Sequence, residues 1–263
     1  MSLGLLLVAV AHAVTQAMAG RSGVAVVARV SDGRVLASYH LDRARAAFPG
    51  STLKPFTMKA WIETHQGVTA PNLVCPRKLR ISHRKFDCVH PDGGVPLDAP
   101  TALAYSCNAY FAHLGLELKP AAFAQSLRRI AKSVSIAVTP EELQLQAIGE
   151  WGIQMTPLEL LTAYRRLALE FDNPALAPVF AGLNGAVEYG SAQNAGVPGL
   201  RVAGKTGTGT GHAWFAGFGR SPGASKPEIV VVVLLDGGRG GSDAAPVARE
   251  IFAAWARELG QPQ

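Results

Sequence analysis

Apolar, β-branched segments stand near both ends of this chain, and helical patterns fill the space between them. Residues 23–30 are strand-like, Ser31-Asp32-Gly33 is a turn signal, and residues 34–39 read as the returning strand of a hairpin. Strand patterns come back only from about residue 199, over 200–203, 213–218 and the apolar run 228–235, before a closing helix over 244–259. Between them, helical periodicity begins at Ser51 and continues through Met58 to about Thr64. It returns over 100–116, 121–132 and 156–169, the last opened by Thr156 and Pro157 as capping residue and first-turn proline. Residues 75–100 are loop-rich. The order hairpin, helical insert, three strands, helix predicts a mixed α/β (α+β) fold whose sheet is assembled from both chain ends. No internal repeat or long low-complexity linker divides the chain, so residues 1–263 are expected to form a single domain, with about 50–170 as a mainly helical part.

Composition narrows the function classes. With 48% hydrophobic and 17% charged residues the chain has the make-up of a compact globular protein. Its formal charge of +6 raises nucleic-acid binding. The basic residues are scattered, however, with no basic helix and no aromatic ladder beside them, which argues against that reading. The charge suits association with anionic surfaces such as a cell wall or lipid headgroups.

Three short motifs carry the chemistry. In Phe48-Pro49-Gly50-Ser51-Thr52-Leu53-Lys54-Pro55-Phe56, a serine and a lysine three residues apart share one helical face. A serine hydroxyl needs an adjacent base to attack at neutral pH, and a lysine can be that base once burial and a neighbouring cation lower its pKa. Ser106-Cys107-Asn108 follows some fifty residues on, and Lys205-Thr206-Gly207-Thr208 comes near the end. Gly207 would let backbone approach a substrate closely. The run from Gly199 to Thr206 also satisfies the phosphate-loop pattern G-x-x-x-x-G-K-[ST], with Asp236 after an apolar strand. A phosphate loop needs a helix after its Lys-Thr, and the glycine-rich, strand-like continuation here speaks against one.

The three motifs, in this order and spacing, resemble the penicillin-binding proteins and serine β-lactamases. The context resembles the same group: residues 97–105 and 109–115 around Ser106, residues 151–159, and residues 243–248 at the closing helix. The resemblance implies an antiparallel sheet flanked by helices, with an all-helical subdomain beside it. It implies that Ser51 is acylated, that Lys54 activates it, and that Ser106 passes a proton to the leaving amine. Asn108 would hold the substrate amide, Lys205 would supply positive potential, and Thr206 and Thr208 would bind a terminal carboxylate. Gly207 would edge the site, and the backbone N–H groups of Ser51 and Thr208 would form the oxyanion hole. Cys107, His212 and Trp214 are expected to pack. The implied activity is that of a D,D-transpeptidase or D,D-carboxypeptidase. Its substrate would be the D-Ala-D-Ala end of a peptidoglycan stem peptide, and β-lactams would acylate the same serine. No metal or organic cofactor is implied. A β-lactamase, or a sensor or scaffold domain that is acylated once and stays so, are the alternatives. Against the first, there is no Glu-x-x-x-Asn segment of the class A kind, and Asn108 departs from the class D pattern.

Such an activity implies an extracytoplasmic location, in the periplasm or at the outer face of the cytoplasmic membrane. Residues 1–19 fit two readings, the apolar region of a signal peptide ending in Ala17-Met18-Ala19 or a packed first helix with apolar residues at helical spacing. Cys75 and Cys88 bracket a basic loop with His83 inside and His90 just beyond. An oxidising compartment favours a disulfide closing it, worth roughly 3 kcal/mol in the loop-entropy account. The Cys/His spacing matches no common zinc module, so a disulfide or free thiols are expected ahead of metal.

Overall fold

The computed structural model describes residues 3–91 and 94–259. It opens with a helix, α1 (Leu3–Ala17), whose Val10 and Val14 are buried together with Ala17 and Met18. Among the described residues no helix is long and apolar enough to cross a membrane.

The hairpin forms as its sequence predicts, from β1 (Gly23–Arg29) and β2 (Val35–Tyr39). A 3₁₀ turn (Gly50–Leu53) carries Ser51 directly into α2 (Lys54–Thr64). A two-residue ribbon, β3 (Arg80–Ile81) and β4 (Arg84–Lys85), crosses the loop-rich stretch. The helical part continues with α3 (Ala99–Ala104), α4 (Asn108–Leu116) and α5 (Pro120–Arg128). Next come β5 (Ser133–Val134), α6 (Pro140–Ala147) and β6 (Ile153–Gln154), β5 pairing with β6. The insert closes with α7 (Pro157–Leu169) and α8 (Ala177–Glu188). Three long strands follow, β7 (Arg201–Gly209), β8 (His212–Arg220) and β9 (Ile229–Asp236), and then the closing helix α9 (Ala245–Leu259).

The sheet order is β2-β1-β9-β8-β7, and every neighbouring pair is antiparallel. The N-terminal hairpin therefore completes a sheet begun by the C-terminal strands, which places β7 at the free edge facing the insert. The unbroken apolar run of β9 is explained by burial on both faces. Val230, Val232 and Leu234 point into one core with Val26, Ala28, Leu160 and Tyr164. Ile229, Val231, Val233 and Leu235 point into a second core with Val10, Val14, Ile251 and Phe252. Side chains alternate along a strand, so one sequence feeds two cores. The antiparallel sheet with helices on both sides and a helical part beside it is the architecture the resemblance implies.

Some elements depart from their sequence patterns. The pattern over 100–116 is two helices, because Ser106 takes a left-handed φ of 60° between them. Helices α6 and α8 lie where no pattern was read. Helix α8 is glycine-interrupted, and Gly182 lets it approach Leu103 and the Pro100 carbonyl closely. Strand β7, in contrast, carries the lysine-threonine motif on an edge strand as expected, running without a break from Arg201 to Gly209.

Candidate active site

Ser51 is set by the turn that precedes helix α2. Gly50 enters it at φ 53°, and its N–H donates to the Gly149 carbonyl at 3.0 Å. The Pro49 carbonyl accepts from the Thr52 N–H at 3.3 Å and the Thr52 hydroxyl at 2.7 Å, and the Tyr164 hydroxyl donates to the Thr52 carbonyl at 2.9 Å. Thr52, Leu53 and Lys54 are buried while Ser51 stays partly exposed. The turn thus holds a reachable hydroxyl on a fixed backbone.

Lys54 is fully buried and spends its three ammonium hydrogens on the second motif. Nζ donates to the Ser106 carbonyl at 2.8 Å, to Ser106 Oγ at 3.2 Å and to Asn108 Oδ1 at 2.6 Å. Asn108 Nδ2 in turn donates to the Phe86 carbonyl at 3.1 Å. These partners are in place because the chain reverses between α3 and α4. The strained φ of Ser106 turns its carbonyl and side chain together toward Lys54, an outlier of the kind concentrated at functional sites. Burial pulls the Lys54 ammonium from its ordinary 10.5 down to about 8, and the negative potential of Cys107, Cys88 and Glu150 opposes that fall. A lysine in this range can accept a proton near neutral pH.

The third motif lies on the edge strand β7, against the Ser51 turn. A Cβ on Gly207 would stand 2.7 Å from the Pro49 carbonyl oxygen and 3.0 Å from Thr52 Cγ2, so glycine is what allows strand and turn to touch. Lys205 is fully buried, with Nζ donating to Ser191 Oγ at 3.2 Å and to the Thr206 carbonyl at 3.1 Å. Burial, and then the charge of Lys54, hold its pKa well below the ordinary lysine value. Thr206 Oγ1 pairs with Ser191 Oγ at 3.2 Å. The Thr208 hydroxyl accepts from the Gly240 N–H at 3.0 Å. Trp214 is fully buried, and its Nε1–H donates to the Phe48 carbonyl at 3.0 Å, just ahead of the Ser51 turn. Cys107 is buried as expected, and His212 lies half-buried at the start of β8.

Two contributors were missed in the sequence. Ser191 anchors both Lys205 and Thr206 from the far end of the insert, and nothing in its neighbourhood marks it. Glu150 carries a nearly buried carboxylate held by Arg84 Nη2 at 2.6 Å, and burial raises its pKa against that pairing. Its Oε1 lies 3.6 Å and 3.7 Å from where a Cβ would sit on Gly50 and Gly209. Glu150 therefore stands between the serine turn and the end of β7. Its signal was the flanking pair Gly149 and Gly152, both at positive φ.

After Thr206 the chain stays extended through Gly209, so no helix follows the Lys205-Thr206 pair as a phosphate loop requires. The phosphate-loop pattern is a coincidence of sequence.

A family model described as the penicillin-binding protein transpeptidase domain matches residues 23–253. Among curated proteins, peptidoglycan D,D-transpeptidase PbpA of Mycobacterium tuberculosis is 25% identical over an alignment that covers 78% of this chain and 54% of that protein. Penicillin-binding protein 3 of Bacillus subtilis is 26% identical over an alignment that covers 74% of this chain and 37% of that one. The chain thus spans about half the length of the first of these relatives, and less of the second. Among solved structures, the D,D-transpeptidase domain of a peptidoglycan glycosyltransferase from Eggerthella lenta superimposes with a TM-score of 0.78 at 19% identity, covering 96% of this chain and 82% of that one. That likeness shows the fold. The three motifs converge on one edge of that fold, and the family model spans nearly all of it, so the chain belongs to the penicillin-binding protein transpeptidase domain family.

Proposed function

We propose that this chain is a serine acyl-transferase of the D,D-transpeptidase or D,D-carboxypeptidase type, acting on the D-Ala-D-Ala end of peptidoglycan stem peptides and acylated by β-lactams at the same residue. The observation that carries this reading is the hydrogen-bonding of Lys54 to both Ser106 and Asn108 beside a turn on which Ser51 is partly exposed. Neutral Lys54 takes the Ser51 proton as Oγ attacks the penultimate carbonyl. The amide bond breaks, and the leaving D-alanine takes up a proton by way of Ser106. Lys205, Thr206 and Thr208 receive the terminal carboxylate, and Asn108 receives the substrate amide. The Ser51 and Thr208 N–H groups stabilise the oxyanion, a role in which one lost donor typically costs on the order of 10²–10³ in rate. An amine or water then accepts the acyl group. The names of the curated relatives support this assignment.

The substrate places the activity outside the cytoplasm, at the cell wall or the outer face of the membrane. The chain acts as a single transpeptidase-like domain over residues 1–263. Fluorescent penicillin tests the reading: the wild type is expected to take up stable label and Ser51→Ala none. Rapid loss of label with turnover would instead show a β-lactamase, and label on Ser51→Ala would remove Ser51 as nucleophile.

A further inference from the structure

Behind the Ser106 turn, three cysteines and one histidine that the mechanism does not use meet in the interior. The ligand atoms of Cys75, Cys88, His90 and Cys107 all lie within 4.8 Å of one another. Cys88 and Cys107 are buried, and their sulfurs are 3.8 Å apart. That separation is far beyond a disulfide bond of about 2.05 Å. It equals the sulfur–sulfur edge, about 3.8 Å, of a tetrahedron built on zinc–sulfur bonds of about 2.3 Å. All three cysteines carry free thiols, so of the two states expected, a Cys75–Cys88 disulfide or free thiols, the structure has the second.

His90 supplies an independent sign. It is only 8% exposed, and its Nε2 is buried without a hydrogen-bond partner. Nδ1 lies 2.8 Å from the Pro91 carbonyl, so a proton there is fixed and Nε2 is left with a free lone pair. A backbone or carboxylate partner on the far nitrogen is the usual arrangement for a metal-bound imidazole. The sulfurs are likewise supported. The Arg77 N–H donates to Cys75 Sγ at 3.4 Å, the first N–H groups of α4, from Asn108 and Ala109, face Cys88, and that of Tyr110 faces Cys107. The Arg77 guanidinium also holds the His90 carbonyl.

We propose that Cys75, Cys88, Cys107 and His90 bind one Zn²⁺ ion in a closed, structural Cys₃His site that ties the 75–90 loop to the segment carrying Ser106 and Asn108. Three thiolates and one imidazole close enough to share one ion select zinc among common divalent ions. Binding is not redox chemistry: the three thiols release their protons to solvent, and the four ligand lone pairs fill the ion's coordination sphere. The ligands come from two distant segments, with Cys107 inside a catalytic motif, so no zinc-module spacing is visible in sequence. Because Cys107 lies between Ser106 and Asn108, and Asn108 Nδ2 bonds the Phe86 carbonyl in the same loop, the ion would hold the partners of Lys54 in register. That consequence rests on the proposed function; the site itself does not.

The test is metal analysis of the whole chain, purified without chelator, then stripped under reducing conditions and titrated with Zn²⁺ and separately with Co²⁺. One equivalent of zinc, proton release on binding, and a cobalt spectrum with thiolate charge-transfer bands and tetrahedral d–d bands are expected. Cys75→Ala and His90→Ala should each weaken zinc binding by more than about 100-fold, beyond the loss from removing an outer partner. Stripped wild type that fails to take up an equivalent of zinc, or native protein whose Cys88 and Cys107 are found disulfide-bonded by mass spectrometry, would overturn the proposal without recourse to any variant. Penicillin labelling run in parallel separates the two claims. Zinc without label would refute the acyl-transferase reading alone, and label on protein that binds no zinc would refute the metal site alone.

Discussion

Asn108 Oδ1 accepts a 2.6 Å hydrogen bond from Lys54 Nζ, so the third residue of one motif is bound to the fourth residue of another that lies fifty-four positions away. Ser106 completes the same grip through its carbonyl and its hydroxyl. Lys54, the proposed base, is therefore oriented by the two residues proposed to meet substrate, and disturbance of either motif reaches both.

The pH dependence of acylation follows from Lys54. Its burial lowers the ammonium to about 8, so the base form grows as pH rises through that value. The second-order rate of β-lactam acylation is expected to climb along a single limb centred near 8, and a flat profile between about pH 6 and about pH 10 would contradict Lys54 as base. Stability should change with the same sign. The native state releases this proton at about 8 while the unfolded chain keeps it to 10.5, so stability rises with pH between those values and is lowest below them. Lys54→Met should reduce that rise in chemical denaturation, leaving the part due to Lys205, whose pKa burial also holds down.

Glu150 opposes the fall of the Lys54 pKa. Glu150→Gln keeps the shape of the side chain and removes its charge. The acylation limb should move to lower pH, read from rate–pH profiles of the two proteins side by side. An unmoved limb would place Glu150 outside the electrostatics of the base.

Gly207→Ala sets a methyl group against the Pro49 carbonyl, a backbone atom that cannot step aside cheaply. Overpacking of this kind typically costs about 1–3 kcal/mol. The strand and the Ser51 turn should part, lowering acylation about a hundredfold or more with a lower melting temperature. Wild-type kinetics would mean that β7 does not border the working serine.

Ser106 holds a left-handed backbone that glycine adopts freely. Ser106→Gly should stabilise the fold by about 1 kcal/mol or leave it unchanged, while acylation falls at least tenfold for want of the hydroxyl. A rise in melting temperature with unchanged acylation would remove Ser106 from proton transfer.

Much of this arrangement was legible in the sequence because it is local. The β-branched runs of β1 and β9 and the helix start at Thr156 and Pro157 each announce themselves within a few residues. The motifs announced their chemistry, and the resemblance supplied their roles. What escaped reading depends on contacts between distant segments. Helix α8 is interrupted by glycines that exist for packing against α3, so its pattern is weak on its own. The split at Ser106 leaves no mark because serine is an ordinary helix residue, and only the tertiary grip of Lys54 makes the left-handed turn worthwhile. Ser191, Glu150 and His90 matter through partners that no spacing rule connects to them.

The most direct measurement is the site of acylation itself. Wild type and Ser51→Ala are incubated with a fluorescent penicillin, digested, and the labelled peptide is identified by mass spectrometry. The geometry predicts a single adduct on Ser51, absent from a variant that melts like the wild type, since loss of a serine at a helix start costs only about 1 kcal/mol. Label on any other residue, or none on correctly folded wild type, would contradict it.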